Sequence, residues 1–534
     1  MNEKTEIQKT IGSAGLIGVA AFAGALIGFV LQLIVAYFFG ASSQTDAYFM
    51  ALSTSELLGK LLMGGSIAAV FLPMFVDRIA QHKYSEAWDM GLNLLHIFGS
   101  AFLAVVIVLG VFAQPFVQFI APGFDASTTE LTVSLLRLML PSFLFLFLVD
   151  IIVSMLHAFK RFTVPALLRI VAPLISVVTL VFLANRVGIY ALAVGTVISS
   201  LVQLALVWRA LRRQGLRYRF VLDARDPRIA TLIALVLPFV LSMLVTQVAG
   251  IVYRILVSEL STGSLSALKY AEKITQFLTI MFLGSVTTVI YPLLSEKATR
   301  NDKDGLRATI SSAIRLTLFV AVPIVCGTMI LSRPIIEVVY GRGSFGGEAV
   351  ALTSVALFFL IIGLATNAVS SVLGHAVLAY KDTRAAVAIT IASQIVAFTL
   401  FFLLVPPMGH AGLALASSLV PTSSALLYFV YLRRYIPNLG RIFWHPTYAK
   451  IVALAAGMSV VTYLVWSATN FNVLQTSLGA PIRLLVVIGL SAMMFLGGAY
   501  AWRVEEMREV LGIVRGKIEK WQGSKKVELA ASGK

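Results

Sequence analysis

Charged side chains inside long apolar stretches are the residues of this chain most able to do chemistry. Lys60, Arg254, Lys269, Glu272 and Lys273 each lie within such a stretch. A charge at the centre of a bilayer costs roughly 2.5–3.5 kcal/mol on insertion scales, so it usually faces a water-filled cavity. Lys269 and Lys273 are four residues apart and share one face of a helix. The excess of cations predicts a cavity that binds an anionic group such as a diphosphate.

Two acidic residues are assigned to gating or ion pairing. Asp46 follows the first apolar stretch, and Glu56 stands four residues before Lys60. The alternative for all these charges is structural: Glu56 pairs with Lys60, Glu272 pairs with Lys273, or the longer side chains extend to the membrane interface.

Other chemistries are excluded by what the sequence lacks. There is no G-x-x-x-x-G-K-[ST] nucleotide loop and no H-E-x-x-H metal motif. The single cysteine, Cys326, permits no internal disulfide. No connection is long enough to be a soluble catalytic domain. We therefore predict a transporter and not an enzyme, with no cofactor or metal, driven by an ion gradient, the membrane potential or product removal.

The elements that hold these residues are predicted transmembrane helices. Of 534 residues, 59% are hydrophobic and only 13% are charged, whereas soluble domains carry about 25% charged residues. The apolar runs are nearly continuous, which excludes an alternating barrel pattern. The predicted fold is an all-α polytopic membrane protein of about fourteen spans. These are 12–38, 48–76, 87–113, 131–158, 163–184, 188–208, 229–257, 267–294, 308–331, 348–379, 385–405, 409–432, 447–468 and 481–502.

Basic residues alternate between the connections. One set of connections is rich in lysine and arginine, while the opposite set holds only Arg186, Arg333, Arg342 and Arg483. By the positive-inside rule, both termini are predicted to be cytoplasmic in a bacterial inner membrane. Topology thus accounts for the net charge of +17, and no nucleic-acid partner is predicted.

The chain contains an internal repeat. Residues 65–73 (GSIAAVFLP) correspond to residues 284–292 (GSVTTVIYP), and three further matches follow at nearly the same offset. Each copy holds six spans, so the copies point the same way through the membrane, as in parallel-repeat transporters. The predicted organisation is a lobe at 1–213, a basic cytoplasmic linker at 214–228, a second lobe at 229–434, two additional helices at 435–502, and a basic amphipathic tail at 503–534.

Several motifs resemble the MurJ/MviN family of lipid II flippases, within the multidrug/oligosaccharidyl-lipid/polysaccharide exporter superfamily. They span nearly the whole chain and read FGA at 39–41, TDAYF at 45–49, AVFLP at 69–73, APGF at 121–124, RFTVPA at 161–166, YAEK at 270–273, PLLS at 292–295 and HAGLAL at 410–415. The resemblance implies outward flipping of a polyprenyl-diphosphate-linked cell-wall precursor by alternating access. It also implies membrane lipids and cell-wall synthesis proteins as partners.

The family's charged positions carry over only in part. Asp46, Lys60, Glu272 and Lys273 match them, while other positions where the family has charged residues here read Ala25, Leu31, Gln32, Gly59 and Gly64. Two alternatives therefore stay open: another lipid-linked oligosaccharide, such as an exopolysaccharide or O-antigen unit, or a non-transporting membrane scaffold. A cation-coupled drug exporter would need an acidic cavity, which the basic residues disfavour.

Overall fold

The computed structural model describes residues 3–63, 66–223, 225–282, 284–469 and 479–507. These residues form helices and their connections, without a strand. The first helices are α1 (Glu3–Phe39), α2 (Ser43–Met63), α3 (Ser66–Ala80), α4 (Tyr84–Val111), α5 (Ala113–Ile120), α6 (Ala126–Ala158), α7 (Thr163–Val187) and α8 (Tyr190–Arg212). The all-α prediction is confirmed.

A second series of helices follows the linker. It comprises α9 (Pro227–Ser258), α10 (Ser264–Phe282), α11 (Gly284–Thr299), α12 (Lys303–Ile330), α13 (Ser332–Tyr340), α14 (Gly347–Leu360), α15 (Ile362–Ala379), α16 (Thr383–Met408) and α17 (His410–Leu432). After a short 3₁₀ helix (Leu439–Trp444) come α18 (Pro446–Ala468) and α19 (Gly479–Ala501). The predicted amphipathic tail lies outside the described residues beyond residue 507.

Eleven stretches of the described chain are long and apolar enough to cross a membrane. They coincide with eleven of the fourteen predicted spans. The other three, at 48–76, 229–257 and 267–294, carry most of the candidate charges. Each includes residues whose side chains the structure does not describe. Large apolar side chains point outward along these helices, such as Phe182 at 72% and Leu485 at 69% exposed. Hydrocarbon is the solvent that such a surface requires.

The repeat predicted from the sequence recurs in the order of the helices. Helix α4 begins at Tyr84 and α12 at Lys303, 219 residues later, and each is followed by a short helix, α5 or α13. Helices α3 and α11 each contain a proline at the matching position, Pro73 and Pro292. The short helices are additional to the predicted spans.

The chain forms two compact units. The first comprises Met1–Phe277, Val339–Ala356 and Gln394–Ala416. Within it α6 packs against α2, α4 and α8, and α1 packs against α7. The second comprises Leu278–Val338, Leu357–Ser393 and Ser417–Lys534. Within it α18 and α19 pack against α12 through an apolar cluster that includes Phe319, Met458 and Phe495. The lobe boundaries given above stay a prediction.

Two acidic N-caps fix where long helices begin. Asp226 accepts a hydrogen bond from Arg228 N at 2.9 Å at the start of α9. Asp302 accepts one from Gly305 N at 2.8 Å at the start of α12. The Arg228 guanidinium also bonds to Asp226 and holds the pKa of that carboxyl below its ordinary value. Caps of this kind satisfy amide groups that the helix leaves unpaired.

Candidate functional site

A small cavity of about 140 Å³ lies inside the first unit, where α1, α2 and α10 meet. Its lining combines cationic, acidic, amide and hydroxyl groups with two apolar side chains. The lining residues are Gln32, Phe49, Leu52, Ser53, Lys269, Glu272, Lys273 and Gln276. Three of the five residues predicted to bind substrate therefore share one cavity.

Helix α10 supplies the charges through its periodicity. Lys269, Glu272, Lys273 and Gln276 follow one another at steps of three, one and three residues, so they cover one side of the helix. Lys269 Nζ donates a hydrogen bond to Glu272 Oε2 at 2.9 Å. Glu272 thus pairs with Lys269, one turn earlier, which is the spacing at which helical side chains meet. The predicted pair of Glu272 with Lys273 stays a prediction.

The ammonium of Lys273 lies next to α1. An ideal Cβ placed on Gly28 would stand 3.6 Å from Lys273 Nζ, an ordinary contact distance, so the cation lies directly against α1. On the same helix, Gln32 Oε1 is buried and has no hydrogen-bond partner among the described residues. A buried acceptor without a partner is costly unless a ligand or water completes it. Gln32 is a candidate site residue that the sequence reasoning did not include, although an amide in an apolar span was a usable signal.

Arg254 lies behind the cavity wall and does not line it. Its side chain is buried, with Nε donating to Ser53 Oγ at 3.0 Å and Nη2 donating to Ser53 O at 2.7 Å. Arg254, on α9, thus holds α2 in place through Ser53, which lines the cavity. The neighbouring Tyr253 hydroxyl lies 3.5 Å from Glu272 Oε1. Direct substrate binding by Arg254 stays a prediction, while its contact with Ser53 gives it a positioning role.

Asp46 caps a helix from a distant part of the chain. Gly263 N donates to Asp46 Oδ2 at 2.6 Å, Ser266 N donates to Oδ1 at 2.7 Å, and the Ser266 hydroxyl also donates to the carboxylate. These donors belong to the first turn of α10, whose N-terminus favours negative charge. Asp46 is only 4% exposed, and burial raises its pKa to about 6 although these hydrogen bonds act in the opposite direction.

Further contacts hold the same region. The Tyr270 hydroxyl donates to Gly40 O at 2.9 Å, and Gly263 lies against Ala41 O, where a Cβ would stand at 2.8 Å. Both glycines have positive φ, +63° and +86°. The contacts among Gly40, Asp46, Gly263, Ser266 and Tyr270 are called the Asp46 latch below. The latch joins the turn between α1 and α2 to the start of α10.

Glu56 and Lys60 lie on α2, but their side chains lie outside the part of the chain that the structure describes. Their predicted roles in ion pairing and substrate binding stay predictions.

Comparison with known proteins gives one family. The family model described as lipid II flippase MurJ matches residues 35–480. The lipid II flippase MurJ of Burkholderia cenocepacia is 26% identical over 460 residues, which cover 83% of this chain and 87% of the relative. The probable lipid II flippase MurJ of Rhizobium meliloti is also 26% identical, over 97% of this chain and 98% of the relative.

Solved structures show the same fold. A lipid II flippase MurJ in an inward closed conformation superimposes with a TM-score of 0.76 at 24% identity, covering 91% of this chain and 99% of that one. An inward-facing multidrug resistance MATE family transporter of the MOP superfamily gives 0.66 at 13% identity, covering 79% of this chain and 99% of that one. The apolar helices and these relatives make the protein a multi-pass inner-membrane protein. Since the family model spans most of its length, the chain belongs to the lipid II flippase MurJ family.

Proposed function

We propose that this protein is a flippase that moves a polyprenyl-diphosphate-linked cell-wall precursor, lipid II, from the cytoplasmic to the outer leaflet by alternating access. The relatives are named lipid II flippases, and the observation that carries the proposal is the cavity that holds Lys269, Glu272 and Lys273. Among the described lining residues, two ammonium groups and one carboxylate give a net positive charge. That charge is complementary to a diphosphate.

The size of the cavity limits what it binds. Ligand pockets usually enclose about 300–1,000 Å³, and this one encloses about 140 Å³. It therefore accommodates the charged head of the substrate, and the saccharide and the polyprenyl tail must lie outside it. Lys269 and Lys273 would bind phosphate oxygens, while Gln32 would accept a hydrogen bond from the substrate or from a water beside it.

The Asp46 latch is the proposed outer gate. By the charge pattern, the turn between α1 and α2 and the turn before α10 both face the outside, and both termini are cytoplasmic. Release of the substrate outward would require Asp46 to leave the amide groups of Gly263 and Ser266. Alternating access then consists of latched and released states whose balance the substrate shifts.

Removal of one cation tests the cavity assignment. The purified protein is reconstituted into vesicles with lipid II, and outward transfer is measured for the wild type, Lys269→Ala and Lys273→Ala. Loss of a charged hydrogen bond should slow transfer by about tenfold or more. Lys303→Ala, which removes an exposed lysine at the start of α12, should transport normally. Unchanged transfer by both cavity variants would refute the assignment.

A second candidate substrate is another polyprenyl-diphosphate oligosaccharide. It is favoured by the residues that line the cavity: its cations are lysines and not arginines, and Gln32 replaces a charged family position. Lysine presents a point charge without the bidentate geometry of arginine, so it discriminates less among diphosphate ligands. Vesicles that contain an O-antigen-type lipid separate the cases. Preferential transfer of that lipid supports this candidate, and transfer of neither lipid supports a scaffold without transport activity.

A further inference from the structure

A second cavity, larger and almost wholly apolar, lies elsewhere in the first unit. It encloses about 590 Å³ between α4, α6, α8 and the linker that follows α8. Leucine is the most frequent residue in its wall, and Trp208, Tyr218 and Phe220 lie at the linker side. None of its lining residues belongs to the candidate substrate cavity. Leu103 and Leu201 are 42% and 51% exposed, so the cavity opens toward the hydrocarbon that surrounds the helices.

The linker is fixed across α4 by specific hydrogen bonds. The Asn93 amide pairs with the backbone of Asp223, donating to its O at 2.9 Å and accepting from its N at 2.8 Å. His96 Nδ1 lies 2.9 Å from Val221 O, and Arg219 forms an ion pair with Asp89. Asn93 is only 1% exposed. The linker is therefore an ordered cover, and its position over the cavity is set by α4.

One arginine lies at the linker end of the cavity, and three others are close to it in sequence. The Arg212 guanidinium lies 5.6 Å from the centre of the Trp208 ring, and Trp208 itself lines the cavity. Arg209, Arg213 and Arg217 are exposed nearby in sequence. No carboxylate pairs with these four arginines among the described residues. The cavity thus has an apolar body and one cationic group, Arg212, at its linker end.

We propose that this cavity binds an anionic diacyl phospholipid from the leaflet that borders the linker. The acyl chains would lie against the leucines of α4, α6 and α8, and the phosphate would meet Arg212 and its neighbours. Charge complementarity selects this occupant, since basic residues beside a membrane attract anionic lipids. The chain's own tail is disfavoured because Arg508, Arg515 and Lys517 would meet like charge at the linker end. This site is independent of the transported substrate.

Native mass spectrometry of the full-length protein tests the proposal, with phosphatidylglycerol and phosphatidylcholine offered in competition. The wild type should retain phosphatidylglycerol preferentially. Arg212→Gln should lower that preference by about tenfold, as expected for loss of one charged contact. Leu201→Trp should fill the cavity and remove the bound lipid. The control for Arg212→Gln is Arg186→Gln, in the last turn of α7. The control for Leu201→Trp is Leu485→Trp, on the exposed surface of α19.

Three results would overturn the proposal. The first is equal retention of the two phospholipids by the wild type. The second is an unchanged preference in Arg212→Gln together with unchanged retention in Leu201→Trp. The third is displacement of phosphatidylglycerol by undecaprenyl phosphate in the wild type, which would assign the cavity to a polyprenyl tail. Because Arg212 is on the surface, Arg212→Gln should fold normally, as size-exclusion chromatography would verify.

Discussion

At the scale of single residues, three charges at or near the candidate site have a local compensation. Lys269 pairs with Glu272, Arg254 bonds to Ser53, and Asp46 receives the amides of Gly263 and Ser266. A buried charge without such partners would cost several kcal/mol. Among the described residues, the hydrogen-bond partners of Asp46 are neutral dipoles and not a cation. Burial therefore still disfavours its ionised form.

The raised pKa of Asp46 predicts that stability depends on pH. Its pKa is about 6 in the folded protein and 3.8 ordinarily, so the folded state binds a proton more tightly than the unfolded state does. The stabilisation is fully present below pH 4 and is lost as the pH rises through 6, by about 3 kcal/mol in total. Because of this group, the melting temperature in detergent should accordingly decrease as the pH is raised from 4.5 to 7.

Asp46→Asn isolates that contribution, since the amide does not titrate in this range. The difference between the wild-type and Asp46→Asn melting curves should change with pH between 4.5 and 7 and be constant above 7. If the melting temperatures of the two proteins changed with pH in parallel over the whole range, the pKa of Asp46 would not be raised by burial. The variant should also slow lipid transfer, because its amide group places a donor against Gly263 N.

At the scale of elements, positive-φ glycines let helix ends approach one another. Gly40 ends α1 with a φ of +63°, and a Cβ there would stand 2.4 Å from Ser344 O. Ser344 N in turn donates to Tyr37 O at 2.9 Å. The end of α1 is thus closed by backbone from the loop before α14, some 300 residues later in the chain. Contact this close excludes any side chain at position 40.

Gly40→Ala and Gly188→Ala should differ in their effects. Gly188 has a similar φ of +60° but has open space where its Cβ would be. Gly188→Ala should cost only the backbone strain, about 1–2 kcal/mol, whereas Gly40→Ala adds a clash with backbone and should cost clearly more. Apparent melting temperatures of the two purified variants give the comparison. An equal decrease in melting temperature for the two variants would mean that the loop at Ser344 shifts away from the new Cβ at no cost in stability.

At the scale of the whole molecule, the bilayer determines the architecture. Apolar side chains cover the outside of the helices, while basic residues gather in alternate connections. The two additional helices α18 and α19 pack on α12 through their own apolar cluster. The repeat doubles a six-span plan, and the charges that could bind substrate come from α10 in the second copy.

Cysteine accessibility tests the predicted orientation. In a Cys326→Ser background, which removes the single native thiol, Arg186→Cys and Arg213→Cys place labels at opposite ends of the spans formed by α7 and α8. An impermeant maleimide should label Arg186→Cys in intact cells with an opened outer membrane, and Arg213→Cys only after the inner membrane is permeabilised. The reverse pattern would invert the topology, and with it the assignment of the Asp46 latch to the outer side.

The sequence by itself determined the class, the spans, the repeat and the family of this protein. These follow from local properties: hydropathy over about twenty residues, the placement of basic side chains, and motifs that survive in short windows. It also selected the charged face of α10, because helical periodicity alone brings Lys269, Glu272 and Lys273 together.

Only the tertiary structure decided which distant groups complete the site. Asp46 meets Ser266, 220 residues later, and Arg254 meets Ser53, 201 residues earlier. The tertiary structure places Arg254 behind the cavity wall and Gln32 in the cavity lining. It also contains the apolar cavity under the linker. Such contacts depend on how helices pack and where turns pass, and neither hydropathy nor spacing contains that information, because packing is fixed by the whole set of side chains at once.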